Sequence, residues 1–428
     1  MKGISLIRWS LALLLLAGFW GTGCRGPQDE RTVVTFWHAM GGPLGKMLDS
    51  LVVEFNQTHP DIVIKHVGMG NYQALSQKLM ATVAAKKPPT ISQVYESWTD
   101  QLHQAGVLTP VEYLLSDEEK QVLLADLYPV FIEDNTWDGE LVTFPFNKSV
   151  PAFFYNKTLF EQEHIEHFPE SWEEYIETGK ALTVDEDSDG TPDRWATAFP
   201  LSTWMFETLL FQNGGHILAD DGVTPLFHKR EGIAALRLQI DILNRHRIGY
   251  LTTGYQHQDD FLAGKVALIS GSIVSYSFIK ALNPDFDLGM APVPSGKRDA
   301  VVISGTNIAL FAHATEEEKA AALEFIMWFL SPEIQARWSH GTGYVPVRMS
   351  SLSQPLMEER MKAQEGLKDV LAQLEYAHTE PRIAGWLGGR QILGTKGVEP
   401  ALRGVKTPEK ALRDCAEEIE KYLREESE

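Results

Sequence analysis

Between residues 32 and 95 the hydrophobic pattern switches repeatedly from strand-like runs to helical spacing, and no other feature narrows the possible folds as much. Thr32-Val33-Val34-Thr35-Phe36-Trp37 is a β-branched and aromatic run that reads as a strand. Leu44, Met47, Leu48, Leu51, Val52 and Phe55 then recur at helical spacing, and Asp61-Ile62-Val63-Ile64 opens a second strand after Pro60. A further helix carries Leu75, Leu79, Met80 and Val83 before a third strand, Thr90 to Tyr95. Consecutive strands joined by helices pair in parallel, so this stretch predicts an α/β lobe with a mostly parallel sheet.

The same grammar resumes downstream. Ser171 with Glu174 forms a capping box, Ile233, Leu236, Ile240 and Leu243 stripe a helix, and Val266-Ala267-Leu268-Ile269 is a short buried strand. A second box, Thr315 with Glu318, opens a helix through Leu330, and Thr407-Pro408 opens the terminal one. A chain of 428 residues is long for one core, which favours two lobes. With no low-complexity linker to separate them, the lobes must be joined by short extended crossings. Phe144-Pro145-Phe146-Asn147 and Ala291-Pro292-Val293-Pro294 are the candidates, because proline suits such strands.

The first residues read as an export signal. Lys2 and Arg8 make a basic region, Leu11 to Phe19 an apolar one, and Gly21, Thr22, Gly23 and Cys24 follow as small residues ending in cysteine. Bacterial lipoproteins share this pattern, with Leu more usual at the place of Gly21, so Cys24 is expected to carry lipid; an incidental cysteine after a cleavage site is the alternative. Cleavage would remove Lys2 and Arg8 and move the formal charge from -20 to -22. The only other cysteine, Cys415, shares an apolar helical face with Leu412, Ile419 and Tyr422 and reads as a core filler. An acidic balance of this size opposes nucleic-acid binding, which needs a clustered positive field. The chain has no Gly-x-Ser-x-Gly, His-Glu-x-x-His, Walker loop or Gly-x-Gly-x-x-Gly after a strand, and His164 and His167 lie in a charged stretch, so enzyme chemistry is not expected. Paired carboxylates of a glycoside hydrolase stay open as the remote alternative.

Six motifs occur in order along nearly the whole chain: Phe36-Trp37-His38-Ala39-Met40, Gly70-Asn71-Tyr72, Gln93-Val94-Tyr95-Glu96, Pro145-Phe146-Asn147-Lys148-Ser149, Phe154-Tyr155-Asn156-Lys157 and Gly341-Thr342-Gly343-Tyr344-Val345-Pro346. Together they resemble the family 1 extracellular solute-binding proteins of ABC importers, and most of all the branch that binds sn-glycerol 3-phosphate. The resemblance implies a type II periplasmic-binding-protein fold, two discontinuous α/β lobes closing on a ligand about a hinge. It divides the chain into a signal peptide (1–23), a tether (24–31), lobe 1 (32–143 and 302–342) and lobe 2 (146–300 and 345–428). It implies a monomer outside the cytoplasm that delivers sn-glycerol 3-phosphate or a glycerophosphodiester to permease subunits, and the signal segment adds the expectation that lipidated Cys24 holds it to the membrane. No cofactor is implied.

The resemblance also carries a set of ligand contacts. Tyr72 and Tyr344 offer aromatic faces and hydroxyls, and Glu96 accepts from ligand hydroxyls at a strand end. Ser149 and Ser272 present small donors, Gly305 lets a backbone N–H approach, and Trp204 caps the ligand. Arg390, eight residues after Arg382 as in the family pattern, grips phosphate with its guanidinium fork. The intervening Ile383-Ala384-Gly385-Trp386-Leu387-Gly388-Gly389 replaces the family's polar run, and Lys148 stands where a small residue is usual, adding positive charge or sitting outside. Sugars stack on tryptophan, so with Trp37, Trp98, Trp204 and Trp386 present a neutral sugar or oligosaccharide is the alternative ligand.

One loop reads separately. Asp185, Asp187, Asp189 and Asp193 stand at positions 1, 3, 5 and 9 around Gly190 at position 6, a spacing that wraps oxygens about calcium. Position 12 is Ala196, so the bidentate glutamate is missing. A structural calcium and a solvated Asp-Gly turn between two helices are both open.

Overall fold

The computed structural model describes residues 31–427. The expected signal peptide, Cys24 and all of the tether but Arg31 lie outside the described residues.

Two five-stranded sheets organise the chain. The first runs, edge to edge, Ile62–Gly68, Thr32–His38, Ile91–Val94, Asn307–Leu310, Phe144–Pro145. Its first three strands are parallel, with Thr32 beside Ile62 and Phe36 beside Ile91, as the alternating pattern requires. The second runs Leu288–Ala291, Pro151–Asn156, Val266–Ser272, Trp195–Pro200, Gly249–Thr252. Each sheet holds one strand antiparallel to both neighbours, Asn307–Leu310 in the first and Pro151–Asn156 in the second. These are the strands the chain builds immediately after passing from the other lobe.

Strand Pro151–Asn156 shows why the sheets are buried on both faces. Ala152 and Phe154 join one apolar cluster, and Phe153 and Tyr155 join another on the opposite face. The cluster containing Phe154 continues through Phe146, Val150 and Ile273 into Phe36, Phe55 and Phe325 of the first lobe. Apolar packing is therefore unbroken across the base of the cleft. The helices obey the local signals. Thr315 and Glu318 make the complete capping box before Glu316–Phe329. At Ser171 only half forms: its side chain accepts from Glu174 N, while the Glu174 carboxylate accepts from Glu170 N. Cys415 is fully buried between Leu412 and Ile419, which pushes its thiol up to about 12.

The crossings differ from the expected pair. Phe146 to Val150 is one, but Ala291 ends a strand of the second sheet and Val293 sits in that lobe's core. The return crossing is instead Ile303 to Thr306. The two crossings pair antiparallel through Phe146 N to Thr306 O (3.1 Å), Ser149 N to Ser304 O (2.9 Å) and Ser304 N to Ser149 O (2.9 Å). Proline density misled here because Pro292 and Pro294 mark the exit of an edge strand, where no ladder hydrogen bond is lost. A third segment joins them, with Ile303 N donating to His378 O (2.9 Å) and Val301–Val302 pairing with Ala377–His378. The segment 345–428 is also not wholly on lobe 2. Arg348 pairs with Asp126 at 2.6 Å and helix Pro355–Ala363 packs on Pro332–Thr342 of the first lobe, whereas the terminal helix Pro408–Ser427 packs on Arg230–Ile240 of the second.

Gly305 sits where the crossings touch, at φ 114°, and a Cβ there would run into the carbonyl of Asn147 and the Cα of Lys148. Both the backbone angle and the space exclude a side chain. Gly305→Ala is expected to lower stability by about 1–3 kcal/mol, measured by urea denaturation. A midpoint equal to the parent's would contradict this packing.

Candidate functional site

Open α/β sheets place ligands beyond the carboxyl ends of their strands, and here five such ends converge. Tyr72 follows Ile62–Gly68, Glu96 follows Ile91–Val94, Trp204 follows Trp195–Pro200, Tyr255 follows Gly249–Thr252, and Ser272 ends Val266–Ser272. The crossings supply Ser149, Ser304 and Gly305 as a floor, and the C-terminal helix Trp386–Ile392 adds Arg390. The eight expected contact residues all line one cleft. It has two chambers that share Tyr72, Tyr95, Ser304 and Gly305. The smaller, of about 380 Å³, contains Glu96 and Arg390, and the larger, of about 890 Å³, contains Ser149, Trp204, Ser272 and Tyr344. Of the tryptophans, Trp98 and Trp386 line the smaller chamber and Trp204 the larger. Trp37 lies instead under Lys78, 5.0 Å from the ring.

Beneath the smaller chamber lies an ion cluster. Lys148 is fully buried, not outside, and its ammonium donates to Asp134 Oδ2 at 2.5 Å and Glu96 Oε1 at 3.1 Å. Asn307 Nδ2 adds a bond to Asp134 Oδ2 at 3.0 Å. Burial opposes the charge on Lys148, but Asp134 and Glu96 outweigh it and raise its pKa. Burial, reinforced by Asp134, pushes the Glu96 carboxyl from 4.5 up to about 8. Beside this cluster Arg390 is held by Glu380 at 3.1 Å, with the fully buried Glu207 at 3.7 Å. Neither oxygen of Glu207 has a hydrogen-bond partner among the described residues, and burial holds its pKa well above the carboxylate range. For Arg390, burial works against the charge and Glu380 and Glu207 restore it, leaving its pKa raised.

Fixed polar contacts orient the aromatic walls. Trp204 Nε1 donates to Val302 O at 2.7 Å, Trp386 Nε1 to Glu380 Oε2 at 3.0 Å, and Asn147 Nδ2 to Tyr72 OH at 3.1 Å. The Ser149 and Ser272 hydroxyls tie the first crossing to the second sheet at 2.5 Å. This arrangement can hold a polyhydroxylated ligand by stacking and hydrogen bonding, with one guanidinium available for an anion.

The Asp loop lies between helix Trp172–Leu182 and strand Trp195–Pro200, not between two helices. Carboxylate oxygens of Asp185, Asp187 and Asp193 come within 4.8 Å of one another. Asp189 falls outside that group and accepts from Thr191 N at 2.7 Å. Asp185 Oδ1 has no hydrogen-bond partner among the described residues, and an all-oxygen donor set of this kind suits a hard cation.

Three participants escaped the sequence pattern, Asp134, Glu207 and Glu380, and Tyr95 stood inside a motif without a role assigned to it. Glu207 left a trace, as the lone acid in Trp204-Met205-Phe206-Glu207-Thr208-Leu209-Leu210-Phe211. The others sit among ordinary polar neighbours, and only the fold brings them to the cleft.

A family model for bacterial extracellular solute-binding protein matches residues 50–365. The sn-glycerol-3-phosphate-binding periplasmic protein UgpB of Yersinia pseudotuberculosis is 27% identical over 417 residues, covering 92% of each chain. The Escherichia coli K12 protein of that name is 25% identical, covering 94% of this chain and 95% of its own. Among solved structures, UgpB from Mycobacterium tuberculosis in complex with glycerophosphocholine superposes with a TM-score of 0.79 at 23% identity, covering 92% of this chain and 99% of that one. The cyclic alpha-maltosyl-1,6-maltose binding protein from Arthrobacter globiformis gives 0.79 at 24% identity, covering 92% and 100%. These likenesses establish the type II binding-protein fold.

The raised pKa of Glu96 has a stability consequence. An acid whose pKa is raised on folding binds its proton more tightly in the folded state, so stability is lost as pH climbs from the unfolded value of 4.5 through the folded value of about 8. The melting temperature of the parent is expected to fall more steeply between about pH 5 and pH 8 than that of Glu96→Gln, which has no proton to lose. Parallel profiles would contradict this.

Proposed function

The chain belongs to the bacterial extracellular solute-binding proteins, binders of ABC-importer type and not enzymes, and from that premise we propose that it captures a glycerophosphodiester, or sn-glycerol 3-phosphate itself. The lobes close on the ligand, and the closed monomer delivers it to the permease. Arg390 carries this assignment. Among the described residues it is the one permanently cationic side chain lining either chamber, and its guanidinium is partly exposed there. A fork of this kind takes a phosphate through paired, charge-assisted bonds. The surrounding acids favour the diester. Asp134 and Glu380 line the same chamber, so the second negative charge of a phosphate monoester is repelled, whereas a diester carries one charge for one guanidinium. The names of the relatives support the class, glycerol 3-phosphate for the Yersinia protein and glycerophosphocholine for the Mycobacterium complex.

A neutral oligosaccharide is the second reading, favoured by one observation: Arg390 already has Glu380 as a partner. The Arthrobacter neighbour is named for such a ligand.

Calorimetry with glycerophosphocholine, glycerol 3-phosphate and maltotriose separates these. The diester is expected to bind most tightly, and Arg390→Ala to weaken it by roughly ten- to a hundredfold, the worth of a charged hydrogen bond. Unchanged affinity in that variant, or binding of the sugar alone, would overturn the phosphate assignment.

Membrane attachment is proposed through lipid on Cys24. Labelling cells with an alkyne fatty acid is expected to tag the parent and not Cys24→Ser, with the variant released from the membrane fraction. A variant still tagged and sedimenting would refute the anchor.

A further inference from the structure

Charge is segregated along the cleft. The smaller chamber contains Glu96, Asp134, Glu380 and Arg390, with Lys148 beneath. Among the described residues, no Asp, Glu, Lys or Arg lines the larger one. Among the described residues its one titratable side chain apart from tyrosines is His257, which burial pushes towards the neutral form. The polar groups facing it are hydroxyls and amides: Ser149, Ser202, Ser270, Ser272, Ser275 and Ser304, with Asn147 and Gln258. The apolar groups are mainly aromatic, and two of them are exposed. Tyr255 is 76% exposed and Phe278 39%, at the mouth on lobe 2, while Trp204 is fixed in the wall through its bond to Val302. Large aromatic side chains left facing water in a concave, uncharged wall mark a surface that a ligand covers.

We propose that the larger chamber is a second subsite for a neutral, polyhydroxylated ring, carried as the alcohol substituent of the phosphodiester whose phosphate meets Arg390. The chemistry follows from what the wall lacks and holds. A ring with apolar C–H faces and peripheral hydroxyls matches aromatic faces bordered by serines and amides. An amine-bearing substituent finds no carboxylate among the lining residues, a quaternary ammonium has only the aromatic faces to bind and leaves the serines and amides without a partner, and a second anion finds no cation. Tyr72, Tyr95, Ser304 and Gly305 belong to both chambers, so one ligand spans them. The inference rests on the phosphodiester assignment and specifies its other half.

The test is calorimetry with glycerophosphoinositol, glycerophosphocholine, glycerol 3-phosphate and maltose, on the parent and on a Tyr255→Ser, Phe278→Ser double variant. Both positions are solvent-facing, and an unchanged melting temperature without ligand checks the fold. The inositol diester is expected to bind roughly tenfold or more tightly than the choline diester or glycerol 3-phosphate. The double variant is expected to lose that advantage while its affinity for glycerol 3-phosphate stays within about twofold. A choline diester that binds as well as the inositol one, or an equal loss for all phosphates, overturns the subsite and leaves the phosphate assignment standing. If no phosphate binds but maltose does, and the double variant weakens maltose, the phosphate assignment falls and the neutral-ring chamber stands. Absence of binding by all four overturns both.

Discussion

The cleft is built around one buried ammonium. Lys148 lies on the first crossing strand with no exposed surface, wedged between Asp134 and Glu96. Removing three ionisable groups from water is costly, and the arrangement is sustained because each acid has a second tie: Asp134 to Asn307 and Glu96 to the start of its own helix. That commitment fixes where the crossing runs. Ser149 and Asn147 flank Lys148 and face the larger chamber, and the return crossing is pressed so closely against them that position 305 admits no side chain. The floor of the cleft, the spacing of the lobes and the identity of Gly305 all descend from the same contact.

The electrostatics of the walls follow from this. With Lys148 consumed below, Arg390 is left as the cation facing the smaller chamber, and it too is shared with Glu380 and the buried Glu207. An anion that enters must compete for a guanidinium already engaged, so a singly charged phosphate is better matched than a doubly charged one. The larger chamber, by contrast, has no formally charged side chain among the described residues that line it. Selectivity here is a matter of where charge is absent as much as where it is present.

Much of the fold was legible in the sequence because it depends on local period. The strand from Thr32, the helix from Leu44 and the capping box at Thr315 form where the residues indicate. The expected contact residues were legible only through family motifs, and all eight line the cleft because strand ends and crossings are fixed by topology. What failed was non-local. Lys148 looks like any surface lysine until the fold closes over it, and Asp134 and Glu380 are brought together across more than two hundred residues of chain. The prolines at 292 and 294 pointed to a crossing, but strand pairing by Ala291 holds that segment in the second lobe. Position 345 onward was assigned to one lobe, although Arg348 reaches Asp126 on the other.

The central claim is that two lobes close on a ligand about these paired crossings. Small-angle X-ray scattering of the purified mature protein, with and without saturating glycerophosphodiester, tests it directly. The radius of gyration is expected to fall when ligand is added, with the largest interatomic distance shortening in step. Saturated binding with a superimposable scattering curve would contradict closure, and with it the account of how the cleft works.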